Sequence, residues 1–286
     1  MKKRTIATLA ALCAAATLFA GCGSTAATTT TAAPAPAAET TAAASTDWDY
    51  ISGKGEMIIG ITYYAPMNYL DDDKNLVGFD TELAEAVCAK LGVKPVFQEI
   101  EWGSKETELA AKNIDAVWNG MTATAERAQN MNLSQSYLKN APVVIVRAAD
   151  VEKYKTADDL KGASVVAENG SMAAELIESD DFFAQGSHTL VDTQVKTFLE
   201  LKAGTADVVI GDYVAAIGSI GEGTDFADLV VSPYKTFEGE TYAIAFRKGD
   251  DSVTSRVNAI LDELTQDGTV ETIAKKYKLE SQIITK

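Results

Sequence analysis

The chain has 286 residues, 47% of them hydrophobic and 23% charged, a balance that excludes collagen-like, repeat-disordered and disulfide-framework classes and leaves one or two ordinary globular domains. At such a length the buried share of the surface reaches roughly 75%, so a core forms without staples. Asp and Glu number 41 against 25 Lys and Arg, and no basic cluster follows residue 4, which argues against nucleic acid and against anionic lipid headgroups as partners.

Residues 1–21 open on Lys2, Lys3 and Arg4 and continue as an apolar run from Ile6 to Phe19 that holds no acid. The run is short and leads to small residues, the pattern of a secretion signal rather than a spanning helix. Its removal leaves a net charge of −19, from 22 basic and 41 acidic residues. Leu18-Phe19-Ala20-Gly21-Cys22 resembles the lipobox of bacterial lipoproteins, whose cysteine is lipidated and becomes the mature N-terminus; an ordinary signal containing a cysteine is the alternative. Residues 22–47 are almost entirely Ala, Thr, Ser, Gly and Pro. Such a stretch has too little apolar surface to offset its conformational entropy and is expected to be a tether with an end-to-end distance on the order of 25–30 Å.

From Trp48 onward, short β-like runs alternate with helix-like runs, as in βα units around a largely parallel sheet. Met57–Ile61 reads as a strand, and Thr81–Leu91 as a helix that Asp80 or Thr81 caps and Gly92 ends. Val93–Ile100 is a strand, Ser104–Lys112 a helix, Ile114–Trp118 a strand and Thr124–Asn130 a short helix. The β-branched run Ala141–Arg147 is long enough to pass from one lobe to another. A second set follows, with strands at Ser164–Ala167 and Val208–Ile210 and helices at Ser171–Glu178 and Val195–Ala203. Gly218–Gly223 reads as a flexible loop. Tyr242–Arg247 mirrors the first crossing, and two helices, Ser252–Gln266 and Val270–Tyr277, end the chain. The order fits two lobes joined by two hinge strands, with a single doubly wound sheet as the alternative. The expected domains are lobe 1 over 48–143 and 242–286 and lobe 2 over 148–237.

The single histidine, His188, leaves little room for a metal cluster or a Ser/His/Asp triad. Cys88, in a helix-like run, reads as a small buried thiol. No metal site and no cofactor is expected.

Six stretches in order carry a resemblance: Tyr64-Ala65-Pro66-Met67, Val77-Gly78-Phe79-Asp80-Thr81-Glu82-Leu83-Ala84, Asn119-Gly120-Met121-Thr122-Ala123-Thr124-Ala125-Glu126-Arg127, Asp159-Leu160-Lys161-Gly162, Ala206-Asp207-Val208-Val209-Ile210-Gly211-Asp212 and Ala245-Phe246-Arg247-Lys248-Gly249. From about Gly53 to Leu279 the chain resembles bacterial solute-binding protein family 3, the extracytoplasmic polar amino-acid-binding lipoproteins of ABC transporters. The resemblance implies an α/β, two-lobe periplasmic-binding-protein fold of type II, each lobe a mainly parallel sheet flanked by helices. It implies capture of a free polar amino acid between the lobes and delivery to an ABC transporter permease, with the membrane reached only through lipidated Cys22.

A free amino acid presents a carboxylate, an ammonium and a side chain, and each needs its own partner. A carboxylate suits a guanidinium fork, because bidentate charge-assisted bonds are the strong ones. The resemblance implies that Thr122 and Arg127 hold it, beside Asn119 and Gly120. Glu168-Asn169-Gly170-Ser171-Met172 sits where a strand passes into a helix, whose amides attract anions; the Ser171 hydroxyl and the Ser171 and Met172 amides are the candidates, or Ser171 is a plain N-cap. Asp212 is placed at the ammonium, facing water when the cleft is open. Tyr64 and Trp102 match aromatic walls for a side chain. Asn119, at a position more often alanine-like, is expected to add a polar contact. Glu101, Glu168, Glu238 and Glu240 favour a basic amino acid if they face the cleft. The competing readings are a cyclohexadienyl-dehydratase-like enzyme on the same scaffold, with Glu168 as general acid, and a sensory or adhesive surface lipoprotein.

Overall fold

A computed structural model describes residues 47–284 apart from 180–182 and 184–185; the expected leader, Cys22 and nearly all of the tether lie outside these residues. Helix α1 (Asp47–Lys54) precedes strand β1 (Glu56–Ile61). A small hairpin, β2 (Tyr69–Leu70) and β3 (Leu76–Val77), leads into α2 (Phe79–Leu91), which buries Phe79, Leu83 and Val87 on one face. This helix starts two residues before the expected point, behind Gly78, with no capping side chain. Asp80 is buried in the interior instead. Gly92 ends the helix as expected, in the left-handed conformation. Then come β4 (Lys94–Glu99), α3 (Lys105–Ala110), β5 (Ala116–Val117), α4 (Arg127–Asn130), β6 (Met131–Leu133) and β7 (Leu138–Asn140). Strand β5 and helix α4 are shorter than the expected Ile114–Trp118 and Thr124–Asn130.

Strand β8 (Pro142–Arg147) opens the second sheet, followed by β9 (Ser164–Glu168), α5 (Met172–Ser179), β10 (Ser187–Val191), α6 (Gln194–Ala203), β11 (Val208–Asp212), α7 (Tyr213–Ser219) and β12 (Leu229–Thr236). The chain returns through β13 (Glu240–Tyr242) to β14 (Ala245–Arg247), and ends in α8 (Asp251–Gln266) and α9 (Thr269–Lys276). Gly218, expected in a loop, is helical, because an α-carbon without a side chain lets α7 approach the opposite lobe.

Two five-stranded sheets result, ordered β4-β1-β5-β14-β6 and β10-β9-β11-β8-β12. In the first, β4, β1 and β5 run parallel and β14 returns antiparallel; in the second, β10, β9 and β11 are parallel and β8 is antiparallel. Each sheet is therefore mainly parallel at one side and closed by a strand coming from the other lobe. The hinge lies earlier than 143–147 and 242–246: β8 and β14 are sheet members, and the two connections pair just before them, Glu240 with Asn140 and Tyr242 with Leu138 in the two-stranded β7–β13 ladder. The single-sheet alternative is excluded.

Separate apolar clusters fill the lobes. One gathers Met57, Ile59, Phe79, Leu83, Trp118, Phe246, Val257 and Leu261. Two others flank the second sheet, around Val144, Val165 and Ile210 on one face and Ile145, Phe198 and Val209 on the other. The inner parallel strands β1, β5, β9 and β11 are buried on both faces, as crossover helices require, whereas the edge strands β4 and β10 stay partly open to solvent. Cys88 is inside the first cluster, its thiol pushed up to about 12 by burial. His188 is exposed on β10.

Candidate functional site

Both lobes contribute to one cavity, lined by Tyr64, Trp102, Asn119, Gly120, Thr122 and Arg127 from the first and by Glu168, Ser171, Met172, Gln194 and Asp212 from the second. All ten residues singled out in the sequence line it; Gln194 is the addition. The space is narrow, about 10 Å³, with room for roughly one water molecule.

On the first lobe, the turn after β5 carries the carboxylate-binding candidates. Gly120 has φ +57, and its N–H donates to Oδ2 of Asp80 at 2.7 Å. Tyr137 donates to the same oxygen at 2.9 Å. Burial pushes Asp80 up to about 7. The Asn119 amide has no capacity left for a ligand: Oδ1 accepts from the Thr62 N–H at 3.0 Å and hydroxyl at 2.7 Å, and Nδ2 donates to Thr62 O at 2.9 Å and Asn68 Oδ1 at 2.7 Å. Four bonds exhaust its side chain. The expected polar contact is therefore replaced by a structural role, tying the end of β1 to the turn. Tyr64 donates to Asn119 O at 3.2 Å and is almost fully buried.

Arg127 is no surface helix residue; it is buried, with Nη1 donating to Thr122 O at 3.0 Å and Nη2 to Oε1 of Glu175 at 2.7 Å. The Thr122 hydroxyl donates to Glu240 Oε1 at 2.8 Å. Trp102 forms a wall beside Lys105, whose Nζ stands 4.9 Å from the ring centre. Lys105 is itself buried, and desolvation first, then Arg127, lower it to about 8.

On the second lobe, Ser171 precedes α5, and its hydroxyl oxygen accepts from Ala174 N at 3.1 Å. It is the N-cap that local chemistry prefers, and its hydroxyl proton remains available. Its own amide is taken by Glu168 O at 3.2 Å, which removes one of the expected anion donors. Asp212 ends β11, and its Oδ1 accepts from Asn140 Nδ2 at 2.9 Å; the same amide group reaches Glu240 Oε1 at 2.6 Å. Asn140, on the hinge strand β7, thus joins an acid of the second lobe to an acid of the hinge, a link for which no sequence spacing gives a signal. Burial and the Glu240 carboxylate hold Asp212 well above the usual carboxylate range. Glu168 is buried, and its Oε1 has no hydrogen-bond partner among the described residues. Burial first, then the Asp212 charge, push it up to about 8. Of the other acids named from sequence, Glu101 and Glu238 are exposed and stand outside the cavity lining.

The lining brings a guanidinium, hydroxyls, carboxylates and aromatic rings into one cavity. No group of three or more His, Cys, Asp or Glu side chains forms a metal site among the described residues. Over residues 57–280 the sequence matches the bacterial extracellular solute-binding proteins, family 3. The chain belongs to that family. It is 32% identical over 232 residues to the arginine-binding extracellular protein ArtP of Bacillus subtilis, covering 79% of this chain and 87% of that one. It is 27% identical over 229 residues to the L-cystine-binding protein TcyJ of Escherichia coli K12, covering 79% and 84%. Among solved structures, a mutant of ArgBP from T. maritima superposes with a TM-score of 0.74 at 29% identity, over 81% of this chain and 98% of that one. The fold is the type II periplasmic fold of such two-lobed amino-acid-binding proteins, and the family's solute-binding members work outside the cytoplasm.

Proposed function

We propose that the protein captures a free polar amino acid with a cationic side chain between its lobes and delivers it to an ABC transporter permease. The observation that carries this reading is the pairing, in one interlobe cavity, of buried Arg127 with Asp212 and with a Glu168 oxygen that no group among the described residues satisfies. An unsatisfied buried carboxylate is costly, and a ligand cation removes that cost. Arg127 and the Thr122 hydroxyl, which lets go of Glu240, receive the α-carboxylate, Asp212 the α-ammonium, and Glu168 the side-chain cation, with Tyr64 and Trp102 against the aliphatic stem. The ligand then bridges the lobes and binds their closed arrangement best, which is a population shift. The binding-protein names of ArtP and TcyJ support a binding role over the dehydratase one, and a zwitterion fits Arg127 and Asp212 without any catalytic step.

In this reading lobe 1 runs to the β7–β13 ladder and resumes at β14, and lobe 2 runs from β8 through β12, after a signal at 1–21 and a tether at 22–47. The run ending Leu18-Phe19-Ala20-Gly21-Cys22 supports lipidation of Cys22 and anchoring to the cell membrane. The mass of the mature N-terminus tests this; an unmodified terminus overturns it.

Thermal unfolding of the chain, screened against the common amino acids, tests the binding role. A ligand at about a hundred times its dissociation constant adds roughly 2.7 kcal/mol. Arginine or lysine is expected to give the shift, and Arg127→Ala to abolish it. No shift with any amino acid overturns the proposal.

A further inference from the structure

Glu175 lies one turn into α5, and its Oε1 is 2.7 Å from Nη2 of Arg127 across the cleft. A carboxylate of the protein thus sits on the guanidinium that has just been read as the seat of the ligand carboxylate. We propose that Glu175 is a resident counter-ligand: it holds Arg127 in the closed arrangement of the lobes, and an incoming amino acid must displace it, so Glu175 sets the affinity of the site. The proposal rests on the reading of Arg127 given above.

Three observations support it. The Arg127 side chain is 5% exposed and its Nη1 is anchored on Thr122 O, whereas the Glu175 side chain is 43% exposed. The arginine is fixed and the glutamate is the partner that swings away, at small desolvation cost. The other contacts across the cleft differ in kind. Lys105 Nζ donates to Gly170 O at 2.9 Å, and the Ser219 hydroxyl donates to Ala65 O at 3.2 Å. Both are bonds to backbone carbonyls, which an amino acid does not imitate; among the described residues of the two lobes, the Arg127–Glu175 pair is the one that copies a ligand group. Finally, an interaction of the empty protein that the ligand must break subtracts from the ligand's apparent affinity, because only the difference between the two sets of contacts drives binding.

Glu175→Gln keeps the shape and removes the charge at a half-exposed position, so the variant folds. Two measurements compare it with the unaltered chain: calorimetric titration with L-arginine, and the radius of gyration in solution without any amino acid. The expected results are binding roughly fivefold tighter, the scale of a partly screened ion pair, and a larger radius. Binding that is unchanged or weaker overturns the proposal. If neither protein binds L-arginine or any other of the common amino acids, the reading of Arg127 falls. Scattering then decides alone: equal radii overturn a closing role for Glu175, and a larger radius for the variant supports it.

Discussion

Gly120 shows how little freedom the carboxylate end of the cavity has. A methyl group there would meet the Tyr64 hydroxyl at 2.0 Å and the Tyr242 ring at 2.9 Å, at a φ of +57 that side chains rarely adopt. Its amide is fixed by Asp80, so the residue holds the turn between Asn119 and Thr122 in one geometry. Gly120→Ala is expected to cost on the order of 1–2 kcal/mol of stability, from backbone strain and the clash, and to weaken amino-acid binding by about tenfold or more, because positioning losses in a preorganised site fall on affinity. Denaturant melts and calorimetry separate the two effects; a stability loss with unaltered affinity would remove the turn from the site. The same residues mark where local reading stops. Asp80 stands at a position that suits a helix cap, yet its carboxylate is directed to Gly120 and Tyr137, contacts 40 and 57 positions away. Asn119 was legible as a cavity residue but not as a saturated one, since its partners Thr62 and Asn68 precede it by more than fifty residues.

At the scale of elements, α7 is one of the parts of the second lobe that press on the first. Gly218 lies so close to the Ala65-Pro66 segment that a β-carbon would come within 2.3 Å of Pro66 Cδ, and the next residue, Ser219, bonds to Ala65 O. Gly218→Ala therefore wedges the lobes apart without entering either core. Its expected signature is an affinity loss of roughly tenfold with a stability change under about 1 kcal/mol, because Ala is also the better helix former. An affinity equal to that of the unaltered chain would show that this contact is not needed for closure. The glycine-rich stretch read as a loop because glycine is a poor helix former in isolation, and from Ile220 to Gly223 the chain is a loop; only Gly218 and Ser219 join α7. The hinge likewise required the pairing partner of each strand: β-branched runs at 141–147 and 242–247 marked strands, while the crossing is the ladder of β7 and β13 just before them.

Taken as a whole, the molecule carries its largest carboxyl shifts at the cleft and just behind it. The folded Glu168 carboxyl is raised from an ordinary 4.5 to about 8, Asp80 is raised to about 7, and Asp212 is raised too, all chiefly by burial. Between the ordinary and the folded values the native state binds more protons than the unfolded chain. Stability from these groups is thus present at low pH and declines as pH rises through the window from 4.5 to about 8. Glu168→Gln, which cannot ionise, is expected to flatten that decline in denaturant melts run across the window. A cationic ligand reverses the sign for binding, because it favours the ionised carboxylate; uptake of the cation is expected to release protons, which calorimetry in buffers of different ionisation enthalpy registers. A slope of stability on pH identical in the two proteins would place the raised titration elsewhere.

The amino-acid sequence by itself determined the alternation of strands and helices, which local period and turn chemistry encode, while the choice of two lobes over one sheet and the ten residues lining the cavity were legible only through short motifs that resemble a known family. The tertiary structure alone decided how those residues are used. Gln194 joins the cavity, Asn140 ties Asp212 to Glu240, and Glu175 meets Arg127. These are encounters between side chains 48 to 100 positions apart, and no pattern of neighbouring residues specifies them. They arise only when two separately packed sheets close on one hinge and bring their strand ends face to face.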